Sequence, residues 1–202
     1  MKIVFASQNE GKLKEIKEML EGTNVELLSL REFQNVPEIV EDGKSFLENA
    51  LKKAKIISAF TGEIVLADDS GLSVEALHHE PGIYSARYAG EEATDDQNID
   101  LLLSKLKNIP VEERKAFFTC VLVLYRPDGS YDAFESQWHG LIIDERRGQN
   151  GFGYDPVFFI PTLGKTAAEL PPDIKNKVSH RGQAFAQLKK ALLDRLVHEV
   201  GA

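Results

Sequence analysis

A single cysteine, Cys120, in 202 residues rules out an internal disulfide and any cysteine-rich zinc site. No apolar run approaches the roughly 20 residues that a membrane-spanning helix needs. The first apolar segment, Ile3 to Ala6, follows Met1-Lys2 directly and is far too short for a signal peptide. These absences suit a reducing compartment, so a cytoplasmic location is expected. Basic residues are also in deficit: 24 Lys and Arg against 32 Asp and Glu give a formal net charge of −8. DNA, RNA or an anionic membrane would meet like charge over much of the surface, and no basic stripe offsets it. If a ligand is anionic, the positive charge that holds it must be local. No repeat, low-complexity segment or linker divides the chain, and its length suits one substantial core. A single α/β domain over 1–202 is the expectation.

Hydrophobic periodicity alternates between strand and helix. Ile3 to Ala6 reads as a buried strand, and Lys12 to Leu20 as a helix with Leu13, Ile16 and Leu20 on one face and Gly22 at its end. Val25 to Leu28 is a second strand. Ser45 followed by Glu48 forms a capping box for a helix to about Phe60. Its apolar stripe is Leu47, Ala50, Leu51, Ala54 and Ile57, with Lys52, Lys53 and Lys55 largely outside it. A strand from Ile64 to Ala67 ends on Asp68-Asp69-Ser70-Gly71. Thr94 caps a helix carrying Ile99, Leu102, Leu103 and Leu106. Phe117 to Tyr125 and Tyr131 to Ile143 make an antiparallel hairpin about Arg126-Pro127-Asp128-Gly129-Ser130. After Gly148, Gly151 and Gly153 comes the strand Val157 to Ile160. The last helix begins near Ser179, its N-cap, and buries Leu188, Leu192 and Leu196.

Five constellations could carry chemistry, each with a plain structural alternative. Ser7-Gln8-Asn9-Glu10-Gly11-Lys12 joins a strand to a helix start, where free N–H groups and the helix dipole favour phosphate. Ala6 and Leu13 exclude a Walker P-loop, and a capped turn with a solvated lysine is the alternative. Asp68-Asp69 at a strand exit could both approach a hard cation, or serve an Asx turn and helix capping. Glu41-Asp42-Gly43 and Lys53 could equally be solvated surface. In Gly151-Phe152-Gly153-Tyr154-Asp155-Pro156, glycines and a proline hold an aromatic ring and a carboxylate in a tight loop; the ring could stack on a nucleobase or be buried. Lys175 with Ser179-His180-Arg181 offers donors at a helix start, or a capping serine with solvated neighbours. His78-His79 beside Glu80 lacks a spaced third ligand for zinc and reads as a surface loop.

Taken in order, these segments are specific. Ser7-x-Asn9-x-Gly11-Lys12, Glu41-Asp42-Gly43-x-Ser45-Phe46-x-Glu48-Asn49-Ala50-x-x-Lys53-Ala54 and Asp68-Asp69-Ser70-Gly71-Leu72 come first. Pro81-Gly82-Ile83-Tyr84-Ser85-Ala86-Arg87, Phe152-Gly153-Tyr154-Asp155-Pro156 and Ser179-His180-Arg181 follow. Together they resemble the inosine/xanthosine triphosphate pyrophosphatase family over nearly the whole chain. The resemblance implies an elongated central mixed sheet flanked by helices, two lobes enclosing a nucleotide cleft, and a homodimer. It implies that Ser7, Gln8, Asn9, Glu10, Gly11, Lys12 and Lys53 surround the triphosphate. Glu41 and Asp69 would hold magnesium, and Asp69 would be the proton acceptor, with Asp68 in support. Ser70 would contact substrate, and Phe152 would stack on the base. Gly153, Tyr154, Asp155, Lys175, His180 and Arg181 would line the base and ribose end. His78-His79 departs from relatives, which more often carry glycines before Pro81-Gly82.

The activity so implied is hydrolysis of non-canonical purine nucleoside triphosphates (ITP, dITP, XTP) to monophosphate and pyrophosphate. Two other readings stand beside it. One is a related house-cleaning pyrophosphatase for pyrimidine or modified nucleotides, disfavoured by Phe152 and His180-Arg181. The other is a non-catalytic nucleotide-binding protein, disfavoured because Glu41 and Asp69 are both present. A 6-keto purine accepts a hydrogen bond where adenine donates one, so donors such as His180 and Arg181 are expected to favour inosine over adenosine triphosphate.

Overall fold

The computed structural model describes residues 1–200; residues 201 and 202, and the side chains from 194 onward, Leu196 among them, lie outside the described residues. The architecture is α/β. Among the described residues, seven strands run in the order β2-β1-β3-β4-β5-β6-β7, and five α-helices accompany them. Strand β1 (Lys2–Phe5) pairs in parallel with β2 (Glu26–Ser29) and with β3 (Val65–Val74). Strands β4 (Lys115–Tyr125) and β5 (Tyr131–Ile142) are neighbours joined by five residues, a connection that only antiparallel strands permit. Strand β5 is antiparallel to β6 (Phe158–Ile160), and β6 to β7 (Lys165–Thr166). The sheet is therefore mixed, as expected.

The chain divides into two compact units. The first comprises Met1–Asp69, Cys120–Ser136 and the segment from Arg181 onward; the second comprises Ser70–Thr119 and Gln137–His180. In the first unit, strand alternation sorts side chains into two apolar clusters. Ile3, Phe5, Leu66, Cys120, Leu122 and Leu124 pack with Ile16 and Leu20 of helix α1 (Glu10–Leu20) and with Ala184, Phe185 and Leu188 of α5 (His180–Val200). Their neighbours in sequence, Val4, Ala6, Val65, Ala67, Val121 and Val123, pack with Ala50, Ala54 and Ile57 of α2 (Phe46–Thr61). Strands buried on both faces read as continuous apolar runs, and β4 does so. The second unit has one core. Leu72 and Val74 of β3, Phe118 of β4, Trp138 and Ile142 of β5 and Phe158 of β6 pack with Ile99, Leu102 and Leu106 of helix α3 (Asp95–Leu106).

Several expectations need correction. Strand β3 does not end at Ala67; it continues through Asp68-Asp69-Ser70-Gly71 to Val74, because Leu72 and Val74 resume the buried alternation in the second core. The acid pair is thus inside a strand. Lys53 lies on the buried stripe of α2, not outside it, while Leu47 is more than a third exposed. The capping box at Ser45 is half formed: Ser45 Oγ accepts from Glu48 N, but the Glu48 carboxylate accepts from Lys44 N. Ser179 follows a helix that periodicity missed, α4 (Pro172–Val178), whose single short run opens on Pro171-Pro172. His78 and His79 are exposed, with φ of 51° and 67°. That left-handed region favours glycine, which explains why glycine suits this turn; the His79 ring packs 5.8 Å from that of Phe117.

Cys120 is buried among the apolar side chains of the first unit, and burial pushes its thiol up to about 12. The thiolate is the reactive form. The native protein is expected to leave an aromatic disulfide reagent unreacted at pH 8, and to consume one equivalent once unfolded in guanidinium. Prompt reaction of the native protein would contradict this placement.

Candidate active site

The turn after β1 is built by Asn9. Its side-chain oxygen accepts from Lys12 N at 3.0 Å and caps α1, while Ser7 Oγ accepts from Asn9 N at 3.2 Å. Capping fixes the first helical turn, whose N–H groups have no partner within the helix. Gln8 is exposed, and Glu10 turns outward to Arg31 at 2.6 Å. Lys12 turns inward to Asp68, Nζ to Oδ2 at 2.9 Å.

Alternation along β3 sends the two aspartates to opposite faces. Asp68, on the side of Leu66, meets Lys12 and Arg181, the latter at 3.5 Å. The Arg181 guanidinium, 2% exposed, also holds Glu15. Burial alone would raise the Asp68 carboxyl, but Lys12, Arg181 and Lys53 outweigh it and hold it well below the usual carboxylate range. Burial likewise works against the charge on Arg181, and Glu15 and Asp68 outweigh it, so its proton is held more firmly than usual. Two terminal guanidinium nitrogens of Arg181 thus turn to carboxylates, one to Glu15 and the other to Asp68.

Asp69, on the side of Ala67, enters a different environment. Its Oδ2 accepts from Asn49 Nδ2 at 3.0 Å, and the same amide's oxygen accepts from Gly43 N at 2.8 Å. Lys53 Nζ donates to Glu41 Oε1 at 2.7 Å and lies 3.9 Å from Asp69 Oδ1. Burial raises the Asp69 carboxyl above its ordinary value, and Glu41 adds to the rise against Lys53 and Lys12. Burial opposes the charge on Lys53, but Asp68, Asp69 and Glu41 together keep its proton held more firmly than usual. Adjacent carboxylates thus differ: the Asp68 carboxyl is held below the usual range and the Asp69 carboxyl above its ordinary value. Glu41 and Asp69 gather hard oxygen donors around one ammonium and could hold a divalent cation. Ser70, half-buried, follows in the second unit.

In the second unit, Gly151 to Asp155 forms a tight loop. Asp155 Oδ2 accepts from Phe152 N at 2.9 Å and from Lys175 Nζ at 2.6 Å, both partners of that ion pair being buried. Lys175 Nζ sits 5.0 Å from the Phe152 ring centroid. A Cβ on Gly151, where φ is +77°, would lie 2.0 Å from Asp155 Oδ2, so only glycine fits against the pair. Tyr154 is buried, its hydroxyl donating to Ser85 O at 2.8 Å. Gly153 N donates to Asp95. The His180 ring stacks on Phe118 at 4.7 Å with 10° between planes.

Three residues that sequence reasoning passed over now stand out. Glu15 and Asn49 each lie on a helix stripe with a lysine, Lys12 and Glu15 three apart, Asn49 and Lys53 four apart. A polar residue on a buried stripe was the available signal. Asp95, at a helix start, gave none.

Comparison with known proteins finds close relatives over nearly the whole chain. The Ham1 family model matches residues 3–191. A dITP/XTP pyrophosphatase of Geobacter sulfurreducens is 52% identical over 191 residues, covering 95% of this chain and 96% of that protein. One of Desulforamulus reducens is 46% identical, covering 98% and 99%. The solved structure of a HAM1 protein from Coxiella burnetii superposes with a TM-score of 0.87 at 44% identity, covering 96% of this chain and 99% of that one.

Removing the Asp68 charge would leave the buried Arg181 and Glu15 and the half-buried Lys12 with an unbalanced set of charges. Breaking a buried pair in this way costs about 3–5 kcal/mol. Asp68→Asn is expected to lower the stability measured by denaturant unfolding by that amount. A loss under about 1 kcal/mol would show that Asp68 is not held as described.

Proposed function

The chain belongs to the Ham1 family, and on that premise we propose that it hydrolyses dITP and XTP, with ITP in the same class, to nucleoside monophosphate and pyrophosphate. The observation that carries the reading is the split between two neighbouring carboxylates. Asp68 is held ionised by Lys12 and Arg181, while Asp69 is raised by burial beside Glu41 and Lys53. A general base works best with a pKa brought toward the operating pH, and Asp69 is the carboxylate so treated.

A water oxygen attacks the α phosphorus, its proton passes to Asp69, and the bond from that phosphorus to the bridging oxygen breaks with its electron pair leaving on pyrophosphate. Asn49 holds one Asp69 oxygen by a hydrogen bond and leaves the other toward Lys53. Lys12 and Lys53 stabilise charge gathering on the leaving group, and such preorganised charge usually supplies the largest single contribution to catalysis. Ser7 to Lys12 bind phosphate oxygens through the capped helix start. Magnesium suits Glu41 and Asp69, since this cation is commonly held by one or two carboxylates with substrate phosphates and water; when bound, it neutralises phosphate charge and orients the attacking water. Phe152 stacks on the base, with Ser70, Gly153, Tyr154, Asp155, Lys175 and His180 lining the base and ribose. Arg181 joins them at the base end and also fixes Asp68.

We further propose a homodimer in the cytoplasm that takes nucleotides and neither nucleic acid nor membrane as partner. Its net charge of −8 opposes polyanions, and among the described residues no helix is long and apolar enough to cross a membrane.

Turnover in heavy-oxygen water is expected to place the label in the monophosphate, with free phosphate appearing only when an inorganic pyrophosphatase is added. Label in pyrophosphate, or free phosphate without the helper enzyme, would overturn attack at the α phosphorus. Because the Asp69 carboxyl is raised and acts as its carboxylate, kcat should fall as pH is lowered through its pKa. Asp69→Asn should lose at least about a thousandfold in kcat, a loss of general-base and electrostatic contributions together, and near-native turnover would remove Asp69 from the mechanism. Steady-state kcat/KM should favour inosine over adenosine triphosphate; equal values would defeat the base preference.

A further inference from the structure

The segment from 143 to 157, which carries Phe152, is tied at its base to its own surroundings. Ile143 N donates to Val157 O, Arg147 N to Pro156 O, and Asn150 N to Ala168 O. Its tip is tied to a different element. Gly153 N donates to Asp95 Oδ2 at 2.7 Å, across 58 residues of sequence. Asp95 is the first residue of α3, and its position is fixed. Thr94 and Gln97 form a reciprocal capping box around it. Behind it, the buried Asn98 accepts from Ala89 N and donates to Ala86 O. A second tie runs from Arg146, at the other end of the loop, to Asp100 at 2.7 Å. The first two turns of α3 therefore hold the loop at its tip and near its start.

Gly153 sits between two side chains with different tasks. Tyr154 points inward to Ser85 O, and Phe152 lies beside Lys175. At Gly153 φ is +60°, where no side chain constrains the backbone; Phe152 is bonded locally to Asp155, and Asp95 adds an acceptor from outside the loop that fixes the Gly153 amide. From this geometry we propose that Asp95 is a positioning residue for nucleobase recognition. It holds the Gly153 N–H and so keeps Phe152 in the orientation that stacks on the purine. The proposal rests on the assignment of Phe152 to the base. Freed of Asp95, the loop tip samples other orientations, and apparent affinity falls by the fraction that remains competent. Proton transfer at Asp69 does not involve these groups, so the effect belongs in KM rather than kcat.

The test compares Asp95→Ala, Asp95→Asn and Phe152→Ala in steady-state turnover of inosine triphosphate, with amide hydrogen exchange at Gly153 as a direct readout of the tie. Asp95 is exposed, so its truncation opens no cavity. The alanine variant is expected to raise KM about tenfold, leave kcat within about twofold and speed exchange at Gly153. Asparagine retains an oxygen acceptor and should restore both KM and protection. If Phe152→Ala raises KM while Asp95→Ala leaves it at the native value, the role of Asp95 is overturned and base stacking stands. If Phe152→Ala leaves KM unchanged, the stacking assignment fails and the proposal falls with it. A kcat loss in Asp95→Ala without a KM change also overturns it.

Discussion

The alternation of a β-strand is the constraint on which the site depends. Successive side chains on a strand point to opposite faces, so the adjacent Asp68 and Asp69 cannot share one environment. Both are buried, and an unpaired buried carboxylate costs several kcal/mol, so each face must supply its own compensation. On one face, α1 and α5 bring Lys12, Glu15 and Arg181; on the other, α2 and the segment before it bring Asn49, Lys53 and Glu41. Apart from Glu10, which turns outward to Arg31, the charged groups of the first unit's candidate site are placed by one of these two demands. The two carboxylates then carry opposite linkage to folding. The depressed carboxyl of Asp68 contributes stability above its unfolded pKa and loses it as pH falls toward its folded value. The raised carboxyl of Asp69 makes the native state bind more protons, so its contribution falls as pH rises through that window. Stability gained at Asp68 accompanies a functional cost at Asp69.

The second unit solves a different problem, that of holding an aromatic ring and a carboxylate in a short loop. Glycines at 148, 151 and 153 adopt positive φ, and at 151 the absence of a Cβ lets the backbone rest against the buried Asp155–Lys175 pair. That pair in turn receives the Phe152 N–H. The loop is stiff because hydrogen bonds from several elements converge on it. Phe152 itself stays half-buried.

Much of this was legible in the sequence. Strands β1 and β4, helices α1, α2 and α3, and the hairpin turn follow from hydrophobic period and capping residues, which act locally. Helix α4 was not legible, since seven residues that begin on Pro172, with Pro171 ahead, offer too few periods to recognise. The length of β3 was misread because two aspartates, a serine and a glycine look like a turn; only the distant residues Lys12, Arg181, Asn49 and Lys53 make them tolerable inside a sheet. For the same reason Lys53 looked solvated until the carboxylates around it were known. Glu15 and Asp95 were silent because what each does depends on a partner 166 and 58 residues away.

The central claim is that one strand divides two neighbouring acids into a fixed counter-ion and a titrating base. Carbon-detected NMR titration of the two side-chain carboxyl carbons, in protein labelled on aspartate, measures this directly. The account predicts that Asp68 shows no titration step before the protein unfolds in acid, while Asp69 titrates above the range of a free aspartate. Titration of Asp68 at or above the ordinary value, or of Asp69 below it, would contradict the account.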